Sequence, residues 1–124
     1  MHVKLICTTD DPLDNLNFHQ QIKKDEWSVK VLPAFRPDKA MNVDDAATFN
    51  NYLHSLEAVS NVSISGFTDY LTALKKRHDY FVANHCTVSD HGLEAIYAED
   101  YTDAEITAIF KKIRLGNELT MLEN

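Results

Sequence analysis

The side chains best suited to chemistry lie in short polar segments that follow apolar runs. The clearest segment is Ser-Asp-His-Gly at 89–92, directly after Val88. An imidazole such as that of His91 binds divalent metals and exchanges protons near neutral pH. The alternative is a capped Asp-His-Gly turn with no chemical role, and the residue types alone leave both interpretations open.

Arg36 is the second candidate, because a planar guanidinium binds a carboxylate through two parallel hydrogen bonds. It precedes Pro37, whose ring disfavours the α-helical region for the residue before it. We therefore expect Arg36 to project from the end of a strand, where it would hold an anion. The alternative is a surface arginine paired with Asp38.

Asp10 and Asp11 form the third polar segment. They could act as a general acid–base pair or as metal ligands. An aspartate before a proline is also typical of a helix start, with Asp11 as N-cap and Pro12 at the first helical position. Capping explains one of the two carboxylates, so a structural role is favoured. No H-x-H, H-x-x-x-H or C-x-x-C pair occurs, and the chain therefore lacks the usual short-range metal-binding pair.

Three predicted strands, at 3–7, 27–35 and 87–89, carry these segments at their ends. Pro33 removes a ladder hydrogen bond and predicts a bulge or the end of regular pairing in the second strand. Helices are predicted over 12–24, from a cap at Asn42 or Asp44 to about residue 59, over 67–82, and from a capping box at 102–105 to Gly116. The apolar stripes that define the last three helices are Phe49, Tyr52, Leu53, Leu56 and Val59; Phe67, Leu71, Leu74, His78, Phe81 and Val82; and Ile106, Ile109, Phe110 and Ile113.

The predicted order is β-α-β-α-α-β-α, an α/β fold in which helices connect parallel strands. Carboxyl ends of parallel strands meet at one edge, where α/β proteins bind their ligands. Three strands are too few to close a barrel, and the chain is therefore expected to be part of a larger sheet.

Composition narrows the classes of partner. The chain has 124 residues and a formal net charge of −7, and its longest basic run is the triplet at 75–77. A phosphate backbone requires a concentrated basic face, so a nucleic-acid partner is not expected. No apolar run is long enough to span a bilayer and the first residues do not form a signal peptide, which predicts a cytoplasmic protein without a membrane partner. Cys7 and Cys86 are then expected as reduced thiols.

Five segments in this order resemble the uronate isomerase (glucuronate isomerase) family of the amidohydrolase superfamily. They are Cys-Thr-Thr-Asp-Asp-Pro at 7–12, Leu-Pro-Ala-Phe-Arg-Pro-Asp-Lys-Ala at 32–40, Lys-Arg-His-Asp-Tyr-Phe at 76–81, Ser-Asp-His-Gly-Leu at 89–93 and Tyr-Ala-Glu-Asp-Tyr at 97–101. Together they extend over almost the whole chain.

The resemblance implies a (β/α)₈ barrel of the TIM type, with a divalent metal, often zinc, at its carboxyl-end face. It implies interconversion of D-glucuronate with D-fructuronate and of D-galacturonate with D-tagaturonate. Arg36 falls on the family arginine that contacts the substrate. His91 falls on the strand-end histidine near metal and substrate, which makes it a catalytic candidate and a possible metal ligand.

The chain departs from the family pattern in one respect. The full enzyme takes an H-x-H metal pair from its first barrel strand and an aspartate from its last, and neither is found here. We therefore expect residues 1–124 to be one domain, a central fragment that is inactive and binds no metal tightly by itself. A non-catalytic sugar-acid-binding module and a self-assembling module are the alternatives, and a homo-oligomer is expected.

Overall fold

The computed structural model describes residues 2–92, 100–117 and 119 of the chain. Short parallel strands and longer helices follow one another along this part of the chain. In chain order they are β1 (Leu5–Cys7), α1 (Asn17–Lys24), β2 (Lys30–Leu32), β3 (Ala34–Phe35), α2 (Asp38–Met41), α3 (Ala46–Ser60), α4 (Phe67–Ala83), β4 (Val88–Ser89) and α5 (Asp103–Arg114). None of the helices in the described ranges is long and apolar enough to cross a bilayer.

The strands pair in parallel, as the sequence predicts. β1 pairs with β2, and β3 pairs with β4. A further parallel bridge joins Asp10 to Phe35, and Phe35 faces Ser89 in the β3–β4 ladder. Phe35 therefore has the first strand segment on one side and β4 on the other. The carboxyl ends of all three segments lie at the same edge.

Pro33 divides the second predicted strand into β2 and β3, which confirms the irregularity expected there. Pairing to the first strand continues past it through the N–H groups of Thr8 and Asp10, which donate to Leu32 O and Ala34 O at 3.0 Å each. The predicted start at residue 27 is wrong. Glu26 takes a left-handed φ of +51° after α1, and regular pairing begins only at β2.

The predicted helix start at Pro12 is also wrong, since α1 begins at Asn17. Asp11, Asp14 and Asn15 each accept a hydrogen bond from the backbone N–H two residues further on. Such local turns compete with helix formation, because the side chain satisfies an N–H group that a helix would use. Residues 11–16 consequently form a loop at the carboxyl edge of the sheet, hereafter the β1–α1 loop.

The main core lies between α3, α4 and α5. The predicted stripes of α3 and α5 are largely confirmed, although Val59 is half-exposed. The cap of α3 is Asp45, whose side chain accepts from Ala47 N–H, and not Asn42 or Asp44. α5 is capped by Thr102, whose hydroxyl accepts from Glu105 N–H as predicted. The buried apolar residues of this core are Ala40, Ala46, Phe49, Tyr52, Leu53, Leu56, Ile64, Tyr70, Ala73, Phe110 and Ile113.

The predicted stripe of α4 is confirmed only in part. Phe81 is fully buried, and Phe67 and Leu74 pack against the main core. Leu71 and Val82 are 49% and 52% exposed, and His78 is exposed as well. The buried face includes a charged side chain, which a search for apolar periodicity passes over. Its members are Tyr70, Ala73, Arg77 and Phe81.

Candidate active site

The backbone brings the three strand ends together. Arg36 N donates to Asp10 O at 2.9 Å, and Asp90 N donates to Phe35 O at 3.2 Å. Asp10, Arg36 and Asp90 are therefore neighbours across the sheet, one on each strand segment. This arrangement confirms the expectation that the polar segments meet at the carboxyl edge.

Arg36 binds Asp90 through two parallel hydrogen bonds. Nε lies 3.1 Å from Oδ1 and Nη2 lies 2.5 Å from Oδ2, with both side chains more than one-third exposed. The bonds raise the pKa of Arg36 and lower the pKa of the Asp90 carboxyl. The surface pair considered from the sequence thus exists with a different acid, because β3–β4 pairing places Asp90, not Asp38, against the guanidinium. Within the described residues, Nη1 of Arg36 remains without a partner.

His91 lies in the segment after β4 and pairs with Asp38 at the start of α2. Its Nδ1 is 3.1 Å from Asp38 Oδ1, and Gly92 N donates to Asp38 Oδ2 at 2.9 Å. Both side chains are about one-third exposed. Two acid–base pairs therefore join the ends of β3 and β4. Arg36 and Asp38 follow β3, and they bind Asp90 and His91, which follow β4.

Asp10 belongs to a buried polar cluster that the sequence did not indicate. Thr8 Oγ1 is 2.5 Å from Asp10 Oδ2 and 2.6 Å from Nε2 of His19. The side chains of Asp10 and His19 are only 11% exposed. His19 has one available signal, its spacing of three residues from both Leu16 and Ile22, which places it on the inner side of α1.

Asp11 has a structural role, as favoured from the sequence, although in a turn and not in a helix cap. Its Oδ1 accepts from Leu13 N at 2.9 Å and from the Tyr52 hydroxyl at 3.0 Å. Burial and the nearby carboxylate raise the pKa of Tyr52. These two hydrogen bonds occupy the lone pairs of Asp11 Oδ1, so this oxygen is not available for chemistry.

Arg77, on the buried face of α4, holds the β1–α1 loop through its backbone carbonyls. Its Nε donates to Pro12 O at 2.7 Å and its Nη2 donates to Asp14 O at 2.8 Å. The guanidinium stacks 4.4 Å over the ring of Tyr80, whose hydroxyl donates to Asn15 O at 2.5 Å. Burial lowers the pKa of Arg77. Sequence reasoning missed this residue, although its spacing from other buried positions of α4 was a usable signal.

The described part of the candidate site does not contain a complete metal centre. Within residues 2–92, 100–117 and 119, no three His, Cys, Asp or Glu side chains converge to hold a metal ion. His91 would offer one ligand, through Nε2.

Comparison with known families identifies the chain. The glucuronate isomerase family matches residues 1–124. The chain belongs to this family. The uronate isomerase of Bacteroides thetaiotaomicron is 54% identical over 122 residues, which cover 98% of this chain and 26% of that protein. The uronate isomerase of Phocaeicola vulgatus is 53% identical over the same extent. The chain thus spans about a quarter of the length of these relatives.

Solved structures show the same fold. The crystal structure of uronate isomerase from Thermotoga maritima superposes with a TM-score of 0.85 at 33% identity, covering 98% of this chain and 27% of that one. Glucuronate isomerase from Caulobacter crescentus gives a TM-score of 0.84 at 26% identity, covering 97% and 25%. The resemblance seen in the five segments is therefore confirmed. Of the fifth segment, residues 97–99 lie outside the described part of the chain.

Proposed function

We propose that the protein containing this segment is a uronate isomerase, which interconverts D-glucuronate with D-fructuronate and D-galacturonate with D-tagaturonate. The supporting observation is Arg36, a half-exposed guanidinium at the carboxyl edge of a parallel sheet, in a chain of the glucuronate isomerase family. A hexuronate differs from a neutral hexose by its carboxylate, and a guanidinium suits that group.

Arg36 is the substrate anchor in this proposal. Two of its nitrogens, Nε and Nη2, bind Asp90. Among the described residues Nη1 has no partner, and in this proposal it binds the uronate carboxylate. Asp90 holds the guanidinium plane in one orientation, so that the anchor is ordered before substrate arrives. Fixing the carboxylate places the aldehyde end of the open-chain sugar at a set distance along the site.

His91 is the proposed catalytic residue. Isomerisation moves a proton between adjacent carbons through an enediolate, and the developing negative charge requires nearby stabilising groups. With Nδ1 bound to Asp38, the opposite ring nitrogen is the one able to contact substrate or metal. A divalent metal such as zinc supplies Lewis acidity when bound to the complete protein. This segment alone is then inactive and retains no metal tightly.

The same proposal covers the fold, oligomeric state and partners of the complete protein. Residues 1–124 form a central segment of a single (β/α)₈ barrel domain in a cytoplasmic homo-oligomer. The strand residues Leu5, Ile6 and Val88 are each nearly half-exposed. Their exposure supports the proposal that further strands or helices of the complete protein cover them. No nucleic acid or membrane partner is proposed, in keeping with the acidic net charge.

Steady-state kinetics of the complete protein, with Arg36→Ala compared with wild type, test the proposal. We expect kcat/KM for D-glucuronate to fall at least about tenfold, the value of one lost charge-assisted interaction. The unfolding midpoint should change little because the Arg36 side chain is half-exposed. Lys39→Ala is the matched control, since Lys39 is an exposed cation three residues further on.

Two results would contradict the proposal, the first its reaction and the second the role of Arg36. The first is a complete, metal-supplied protein that converts neither glucuronate nor galacturonate. The second is an Arg36→Ala variant with unchanged kinetics, which would remove the anchor even if isomerase activity were present.

A further inference from the structure

Asp38 uses both carboxylate oxygens to bind the segment after β4. Oδ1 lies 3.1 Å from His91 Nδ1, and Oδ2 accepts Gly92 N–H at 2.9 Å. The second bond fixes the carboxylate plane relative to the backbone that carries the imidazole. Asp38 is the first residue of α2, so its position is set by the helix that follows β3.

Proton positions follow from the chemistry of this pair. An ionised carboxylate only accepts hydrogen bonds, so Nδ1 of a neutral His91 carries the proton. Nε2 then has a free lone pair. In the part of the chain that the structure describes, no atom binds Nε2.

We infer that Asp38 is a positioning residue, which orients the His91 ring and keeps its proton on Nδ1, so that a bare Nε2 faces the ligand bound at the strand ends. The inference rests on the proposed function for the identity of that ligand. A lone pair at Nε2 serves either to accept from a uronate hydroxyl or to bind a cation. The same arrangement orients metal-binding and catalytic histidines in general.

Two neighbours make the role of Asp38 specific. The other acid nearby, Asp90, is occupied by Arg36 through both of its oxygens. Gly92 leaves room for the Asp38 carboxylate, since a Cβ at position 92 would lie only 3.2 Å from Oδ2. Gly92→Ala should therefore displace the carboxylate without removing it.

The test is long-range ¹H–¹⁵N correlation spectroscopy on ¹⁵N-histidine-labelled protein, at about pH 8 where a free imidazole is neutral. Wild type should show His91 with a protonated Nδ1 and an unprotonated Nε2. Asp38→Ala should shift the ring towards the Nε2–H form, Asp38→Glu should restore the wild-type pattern in part, and Lys39→Ala should leave it unchanged. Gly92→Ala is the second variant should Asp38→Ala fail to fold, with a smaller shift in the same direction.

Two results would overturn the inference. One is a wild-type His91 in the Nε2–H form, and the other is an Asp38→Ala variant whose His91 spectrum is the same as that of wild type. Adding D-glucuronate or Zn²⁺ separately to the labelled protein then shows which of them perturbs Nε2. In the complete enzyme, Asp38→Ala should lower kcat roughly 10- to 100-fold with little change in KM, as for other residues that orient a catalytic or metal-binding histidine.

Failure of this inference is distinguishable from failure of the proposed function. A wrong tautomer in an active isomerase contradicts only the role of Asp38. The expected tautomer in a protein without isomerase activity contradicts only the assigned reaction.

Discussion

The Thr8 hydroxyl lies 2.6 Å from Nε2 of His19 and connects the first strand to α1. The hydroxyl has one proton, and its 2.5 Å contact with Asp10 Oδ2 uses it. His19 therefore donates from Nε2, and in a neutral imidazole the lone pair is then on Nδ1. Nδ1 is buried and has no hydrogen-bond partner within the described residues, in agreement with that tautomer.

Thr8→Val should destabilise the protein by about 1–2 kcal/mol, because it removes the acceptor of the His19 N–H and a donor to Asp10. Urea unfolding measures the effect. Thr8→Ser keeps the hydroxyl and should recover most of the loss, and Thr9→Val, at the exposed neighbouring position, is the matched control. Equal unfolding midpoints for Thr8→Val and Thr9→Val would contradict the bridging role.

Arg77→Met should cost about 2–4 kcal/mol of unfolding free energy, since it leaves one buried and one partly buried carbonyl acceptor without donors. The acceptors are Pro12 O and Asp14 O. Lys76→Met changes the adjacent, exposed cation and should be nearly neutral. Chemical denaturation compares the two. An Arg77→Met variant as stable as Lys76→Met would show that the β1–α1 loop does not depend on this guanidinium.

Neighbouring positions on α4 should respond very differently to truncation. Phe81 is fully buried and packs edge-on against Phe35 at 5.3 Å, so Phe81→Ala should cost about 3–5 kcal/mol. Val82 is 52% exposed, and Val82→Ala should stay within about 1 kcal/mol. Thermal or urea unfolding of both variants checks the orientation of the helix. The reverse ranking would place Val82, and not Phe81, on the buried face of α4.

Asp69 should make stability depend on acid pH. Its carboxylate accepts from Ser65 Oγ at 2.7 Å and from the N–H groups of Ser65 and Gly66, which lowers its pKa. A folded-state pKa below the unfolded value of about 3.9 stabilises the protein above that pH, and the contribution disappears as pH falls through the folded-state pKa.

Wild type should therefore exceed Asp69→Asn in unfolding free energy by a constant amount near neutral pH, with the gap closing below about pH 4. Urea titrations over a pH series measure the gap. Asp79→Asn, near the other end of α4, is the control and should show no such advantage for the acid, because a helix C-terminus disfavours negative charge. A gap that widens in acid would give the wrong sign.

Local signals account for what the sequence predicted well. Apolar runs that end in polar turns located all three strand ends, and the Arg-Pro pair placed Arg36 beyond β3. Helical periodicity found α3 and α5, because every buried residue of these two helices except Ser60 is apolar. Phe110 and Ile113 are the clearest cases.

Long-range contacts account for the remainder. Arg77 meets Asp14 across 63 residues, and no pattern near either one indicates that contact. The choice of Asp90 over Asp38 as the partner of Arg36 depends on the β3–β4 register, which sequence spacing does not specify. The late start of α1 depends on local side-chain turns together with long-range support, since α3 and α4 bind the β1–α1 loop.

The β1–α1 loop has a further consequence for dynamics. Side chains from α4 bind its backbone carbonyls at Pro12, Asp14 and Asn15, so the loop cannot swing away while the helix remains docked. Opening of this segment is thereby coupled to sub-global unfolding of α4, and its amides should exchange with solvent hydrogen in step with those of the helix. One part of the carboxyl edge of the sheet therefore belongs to the cooperative unit of the helical core, unlike the usual mobile surface loop.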